Sequence, residues 1–230
     1  MGAFSKFFLL TGLGFSLVSC QSFRDTLEVS ILAHDMTQVE ADLAHMEVEE
    51  ISLSEEEKSE LLYAACKTNN PEMVRLICRK LRPQVSVDCV TYGIFEPSKP
   101  ILDILFDYDK AKTQEFATTR FSALHNEDMA AYLMSQGCSP ILDLPSTNDM
   151  GVFKLCVRTI GLKNIPQKDM SLILLFTMRR NNDEKLRFLL EEGLDVNAPY
   201  NDEMTIREFI LSSMPYGYKC VFLFEAWEKQ

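Results

Sequence analysis

The sequence predicts an all-α protein organised as a stack of helix–turn–helix repeats, and three observations predict it. First, Asn69-Asn70-Pro71-Glu72-Met73-Val74-Arg75-Leu76-Ile77 aligns without gaps on Asn181-Asn182-Asp183-Glu184-Lys185-Leu186-Arg187-Phe188-Leu189. Second, each copy follows an apolar segment, 61–66 in one and 173–178 in the other, so each unit reads as helix, polar turn, helix. Third, Val39, Val74, Ala130 and Leu186 occupy matching positions 35, 56 and 56 residues apart. The uneven interval marks a degenerate array in which two insertions, or degraded half-repeats, lie between recognisable units. A generic helical bundle is the alternative.

The elements follow in order. Val29, Leu32, Met36, Val39, Leu43 and Met46 are spaced by three and four, which makes one apolar stripe on a helix. Residues 34–43 have the wording of a repeat's second helix. Ser54-Glu55-Glu56-Glu57 is a capping box ahead of a helix over 56–67, and its acids suit a helix N-terminus. Asn69-Asn70-Pro71 turns the chain, and Pro71 fits the first turn of the next helix, where a missing N–H costs nothing. That helix ends near Leu81. Pro83, Gly93 and Pro97, with Val85, Val87 and Val90 between them, mark 82–99 as a loop or short hairpin-like insertion. Lys99-Pro100-Ile101-Leu102 then opens a repeat. Residues 126–136 form a second helix, with Gly137 one step past its end as Gly193 is in the last full unit; the left-handed conformation there favours glycine. Residues 138–150, with Pro140 and Pro145, read as loop. Helices follow over 152–160 and 170–178. Residues 204–209 open a final unit, and the apolar segment 216–227 closes the stack.

Residues 1–19 stand apart as a signal peptide. Lys6 precedes an apolar run over 7–18 that stops at Cys20. Twelve residues make about 18 Å of helix, short for a bilayer and suited to an export signal. Leu17-Val18-Ser19-Cys20 resembles the lipobox of bacterial lipoproteins. That resemblance implies cleavage before Cys20, diacylglycerol on its thiol, a lipid-anchored linker over 20–26 and a repeat domain over 27–230. Several acyl chains make a firm anchor where one is marginal. Gln21, rather than Asp, implies the outer membrane in a Gram-negative cell. An ordinary signal peptide cut nearby, or a buried N-terminal helix, is the alternative.

The formal charge is −11 and the isoelectric point about 4.8; loss of Lys6 makes the mature chain one unit more negative. Such a chain does not suit nucleic acid, which needs a cationic face, nor adsorption to anionic lipid. Cys66, Cys78, Cys89, Cys138, Cys156 and Cys220 remain after Cys20. Export permits disulfides, but their spacing outlines no framework, and buried free thiols are the expectation. No CxxC, HExxH, GxSxG, P-loop or GxGxxG occurs. His34, His45 and His125 read as surface residues, Asp103, Asp107 and Asp109 as a solvated helix end, and Glu191-Glu192 as exposed positions. No cysteine falls in a turn or at a helix start, where a thiol's pKa is lowered. Neither a metal nor another cofactor is expected, and no catalytic residue.

Residues 182–197, ending Gly193-Leu194-Asp195-Val196-Asn197, resemble the second helix and finger of an ankyrin repeat: polar turn, apolar helix, Gly, then an apolar-Asp-Val-Asn finger. The resemblance is good over 173–210, fair over 56–81 and weak over 27–50 and 99–137. It departs from the family in spacing, whose period is about 33, and in carrying Ile206 where the usual Thr-Pro-Leu has Pro. It implies a concave protein-binding face to which Asp195, Asn197, Tyr200 and Asn201 contribute, although Asp195 and Asn197 equally suit a purely local role in satisfying turn backbone. The expectation is a membrane-anchored, extracytoplasmic protein-binding module with an unknown protein partner. The alternatives are an immunity-type inhibitor of an envelope toxin and, from another class, an envelope enzyme or small-ligand binder.

Overall fold

The computed structural model describes residues 23–96 and 98–229. The signal segment and Cys20 therefore lie outside the described residues. The chain divides into two compact units, one up to Thr113 and the other from Gln114 onward. The first contains α1 (residues 23–32), α2 (Met36–Val48), α3 (Glu55–Lys67), α4 (Pro71–Leu81), α5 (Val87–Phe95) and α6 (Lys99–Tyr108). Helix α7 (Lys110–Thr118) carries the boundary. The second contains α8 (Glu127–Ser135), α9 (Met150–Ile160), α10 (Gln167–Arg179), α11 (Asp183–Glu191), α12 (Ile206–Ser212) and α13 (Met214–Trp227). Three 3-10 turns, Phe121–Ala123, Leu144–Ser146 and Leu162–Asn164, also belong to it. Among the described residues there is no β-strand, only an isolated bridge between Pro199 and Thr205. None of their helices is long and apolar enough to cross a membrane.

One turn recurs. His34, Asn69 and Asn181 have φ of 61°, 52° and 52°, a left-handed conformation that Asn and His tolerate better than most residues. The next residue in each case, Asp35, Asn70 or Asn182, caps the following helix. Its side-chain oxygen accepts from Gln38 N at 3.0 Å, from Glu72 N at 3.0 Å, or from Lys185 N at 2.9 Å. These bonds satisfy amides that the first helical turn leaves without partners. Asn126 and Asp149 cap α8 and α9 in the same way. The far ends of the second helices also agree. Glu50, Gly137 and Gly193 have φ of 52°, 89° and 89°, and the next amide returns to the helix: Ile51 N to Met46 O, Cys138 N to Leu133 O, Leu194 N to Leu189 O. This is the Schellman closure.

In the first unit the pairs pack like on like. Helix α3 packs on α5, and α4 on α6. Arg24 of α1 meets Glu60 of α3 at 2.7 Å, and Lys80 of α4 meets Glu47 of α2 at 2.9 Å. Exposed pairs of this kind contribute little energy; they mark the register.

The structure corrects four expectations. The single stripe over 29–46 is two helices broken at Ala33-His34-Asp35. Leu27, Ile31, Val39 and Leu43 are buried, whereas Val29 is 67% and Leu32 44% exposed. Helix α1 also takes in 23–26, which the sequence reading gives to a linker. The third correction concerns 82–99, which is no loop: it contains α5, capped by Ser86 and buried through Cys89, Val90, Gly93 and Ile94. Its valines suggest strand and its glycine a turn. Gly93 instead permits close helix packing, since a Cβ there would lie 2.8 Å from Leu102 Cδ2 of α6. Because α6 packs on α4, it is the second helix of its pair rather than an opening first helix.

The second unit hides a shortened pair in the same manner. Residues 138–149 are irregular except for Leu144–Ser146, whose Leu144 and Pro145 are buried. That 3-10 turn packs on α10, while α9 packs on α8 and reaches α11 through Phe153–Phe188 (5.9 Å between centroids), Lys154–Glu184 (3.0 Å) and Arg158–Glu192 (2.8 Å). The turn occupies a first helix's place and α9 a second helix's. Helix α13 packs on α10, α11 and α12.

The caps and closures make a direct prediction. Asn70→Ala and Asn182→Ala each lower unfolding free energy by about 1 kcal/mol. Gly193→Ala does so by about 1–2 kcal/mol, because its Cβ meets nothing within 4 Å and only the left-handed backbone opposes it. Urea denaturation midpoints check all three.

Candidate binding surface

The finger after α11 is a closed hairpin. Arg207 N donates to Val196 O at 2.8 Å, Ile206 N to Ala198 O at 3.0 Å and Tyr200 N to Met204 O at 2.9 Å. Each sequence-predicted residue has a place in it. Asp195 is exposed, and its Oδ1 accepts from Asn197 N at 3.0 Å. Asn201 is exposed, and its Oδ1 accepts from Glu203 N and Met204 N, both at 2.9 Å. Tyr200 lies flat on Phe209, 3.8 Å between centroids and 3° between planes; burial raises its phenol pKa. Its carbonyl accepts from Ser171 Oγ at 2.6 Å. Asn197 is exposed. Asp195 and Asn201 thus shape the turn through one oxygen each, and Tyr200 fastens the finger to α12.

Under the finger lies a pocket of about 420 Å³, within the size range of sites that admit a side chain or small ligand. Leu162, Ile165, Met170, Leu194 and Ile206 make its apolar lining, while Lys163 and Asp195 add charge. The sequence reading placed the finger and missed the pocket, because the wall from 162–165 is a 3-10 turn with no family wording.

Side chains with chemical potential are arranged otherwise. No cluster of three or more metal-ligating side chains occurs among the described residues. His34, His45 and His125 are exposed. All six cysteines after Cys20 are buried free thiols. Desolvation pushes Cys78, Cys156 and Cys220 up to about 12. Cys66 and Cys89 are in hydrogen-bond contact; the contact raises Cys66, which burial raises further, and lowers Cys89, which Ser86 also assists. Cys89 corrects the expectation that no cysteine sits at a helix start: it occupies the first turn of α5, 3.2 Å from Ser86 Oγ. It is nonetheless wholly buried.

Lys185 also escaped the sequence reading, although the alignment shows it: it stands where the other copy has Met73, an apolar site. It is 3% exposed. Its ammonium donates to Thr147 O at 2.8 Å and lies 4.1 Å from the centre of the Phe153 ring. Arg180 donates to Ser146 O at 3.2 Å and to the Asn148 side chain. Two cations from the α10–α11 turn region therefore hold segment 146–148, where the shortened pair lacks a first helix.

No family model matches the chain, and no curated protein or solved structure does either.

Desolvation, with repulsion from Arg180, lowers the Lys185 pKa from 10.5 to about 8. Below pH 8 the ammonium is charged in both states and the folded protein bears the full desolvation cost. As pH rises from 8 towards 10.5 the folded amine is neutral while the unfolded one still binds a proton, so stability rises. The buried thiols act in the opposite sense above pH 9. The lysine effect is therefore read as a difference: relative to Lys185→Met, the native protein gains about 2 kcal/mol between pH 7.5 and 9.5, measured by urea denaturation at both pH values.

Proposed function

We propose that this protein is a lipid-anchored bacterial lipoprotein, outside the cytoplasm, whose divergent ankyrin-like helical stack binds another protein. The observation that carries the binding reading is the closed finger over an apolar pocket, at the one place where the wording of the ankyrin family is clear. Polar tips on a rigid hairpin beside an apolar socket provide what a protein interface uses, an anchoring pocket with a polar surround. Buried thiols and scattered exposed histidines favour binding over catalysis. The anchor rests on the apolar run that stops at Cys20.

A second reading has its own observation. Between residues 23 and 60, twelve Asp and Glu accompany only two basic residues, Arg24 and Lys58, so nearly all the net charge lies in α1, α2 and the start of α3. This asymmetry favours a basic partner, as in an immunity-type inhibitor of a cationic envelope toxin. Electrostatic attraction of this kind speeds association and weakens with salt.

Two measurements test the proposal. Mass spectrometry of the mature N-terminus is expected to find acylated Cys20 as the first residue; an unmodified chain beginning elsewhere removes the anchor. Crosslinking pull-down from envelope extract is expected to capture a specific protein with the native finger. Asn197→Arg, an exposed change, is expected to reduce that capture at least about tenfold with an unchanged melting temperature. Equal capture by the variant removes the finger from the interface.

A further inference from the structure

Two cysteines meet where α5 packs on α3. Cys66 lies near the end of α3 and Cys89 in the first turn of α5, and both are wholly buried. The contacts around them hold this part of the interface in place. Tyr92, one turn after Cys89, donates its hydroxyl to Lys67 O at 3.2 Å and sets its ring edge-on to Tyr63, 6.5 Å between centroids. It therefore touches α3 at residues on either side of Cys66 in the sequence. Across the same interface the two sulfurs are in hydrogen-bond contact. A disulfide needs sulfur atoms that close to about 2.05 Å, and a pair already in such contact has little distance left to travel. The two ends differ in chemistry. The contact with Cys66, assisted by the Ser86 hydroxyl, holds Cys89 below the ordinary thiol pKa, while the same contact and burial hold Cys66 above it. Cys89 is therefore the better thiolate, and a helix's first turn favours one.

We propose that Cys66 and Cys89 are a disulfide-forming pair, joined as the chain folds among disulfide oxidants into a bridge that clamps α5 to α3. The oxidant is a small-molecule or protein disulfide. The Cys89 thiolate attacks one of its sulfurs, which releases a thiolate and leaves a mixed disulfide on Cys89. As α5 docks on α3, Cys66 gives up its proton and its sulfur attacks the Cys89 sulfur, expelling the second thiolate. The chain loses two electrons and two protons, and the oxidant leaves as two thiols. The exchange precedes closure of the first unit, because neither sulfur is open to solvent afterwards. The bridge closes a loop from 66 to 89 that contains all of α4, which restricts the unfolded chain. It also ties down α5, whose valines and glycine do not by themselves favour helix. An exported chain meets such oxidants, so for its setting in the cell the inference rests on the export in the proposed function; the pairing itself does not.

The test refolds the purified full chain, reduced and denatured, in a buffer of reduced and oxidised glutathione. Remaining thiols are blocked with iodoacetamide, and peptides are read by mass spectrometry without reduction. A peptide pair joining Cys66 to Cys89, lighter by two hydrogens than its reduced parts, is expected. The bridged chain is expected to have a urea midpoint higher by about 1 M than the same chain reduced, and Cys66→Ala and Cys89→Ala to have the same midpoint with and without reductant. The peptide map of the native chain decides even where a variant fails to fold. Both thiols alkylated after refolding overturns the proposal, as does pairing of either with Cys78 or another cysteine, or a midpoint unmoved by reduction of the bridge. Glutathione supplies the oxidant in this reaction, so a chain found without an acylated Cys20 leaves the result standing; failure of the anchor and failure of the bridge are read separately.

Discussion

At three of its returns the chain folds back where one residue enters the left-handed region and the next supplies an oxygen to a helix start. His34-Asp35, Asn69-Asn70 and Asn181-Asn182 meet that demand. Without the left-handed residue the second helix would not return along the first; without the cap its first amides would be buried unpaired. Once the turn is made, each pair presents an apolar side that it cannot bury alone, and packing on the next pair is the remedy. The contacts of α3 on α5 and α4 on α6 follow from that need, as do the ion pairs that join α1 to α3 and α2 to α4.

The same constraint explains how the array tolerates damage. Where a first helix has shrunk to the 3-10 turn Leu144–Ser146, its carbonyls and those of the following loop are left to other groups. Arg180 and Lys185 supply donors, Lys185 at the cost of burying a charge over the Phe153 ring. The finger is steadied by comparable means: backbone bonds close it, and the stacked Tyr200 and Phe209 rings tie it to α12. A rigid hairpin holds exposed polar groups beside an apolar pocket with little freedom left to lose, which is what the proposed protein contact would need.

Much of this was legible in the sequence, for reasons that differ by element. The turns at Asn69-Asn70 and Asn181-Asn182 and the cap at Ser54 were visible because Asn-Asn and Ser-Glu-Glu-Glu have local causes, and Gly137 and Gly193 announced helix ends for the same reason; the turn at His34-Asp35 was hidden by an apolar spacing that runs on through it. Helix α5 was hidden because its evidence is not local. Val87, Val90 and Gly93 carry strand and turn preferences, and only packing against α6 makes a helix of them. Helix α6 was legible as a helix but not as the second member of a pair, since its role is set by contact with α4. At the finger, the position of the four polar residues was legible, whereas the pocket beneath, formed by segments thirty residues apart, was not. Lys185 was readable in the alignment as a charge at an apolar site.

The central claim is that both 56-residue intervals contain a further helical pair rather than loop. Amide hydrogen exchange followed by mass spectrometry tests it most directly, on peptides covering 87–95 and 150–160. The account predicts protection of both segments comparable to that of α4 and α11. Exchange at the rate of unstructured loops in either segment, with α4 and α11 still protected, would contradict it.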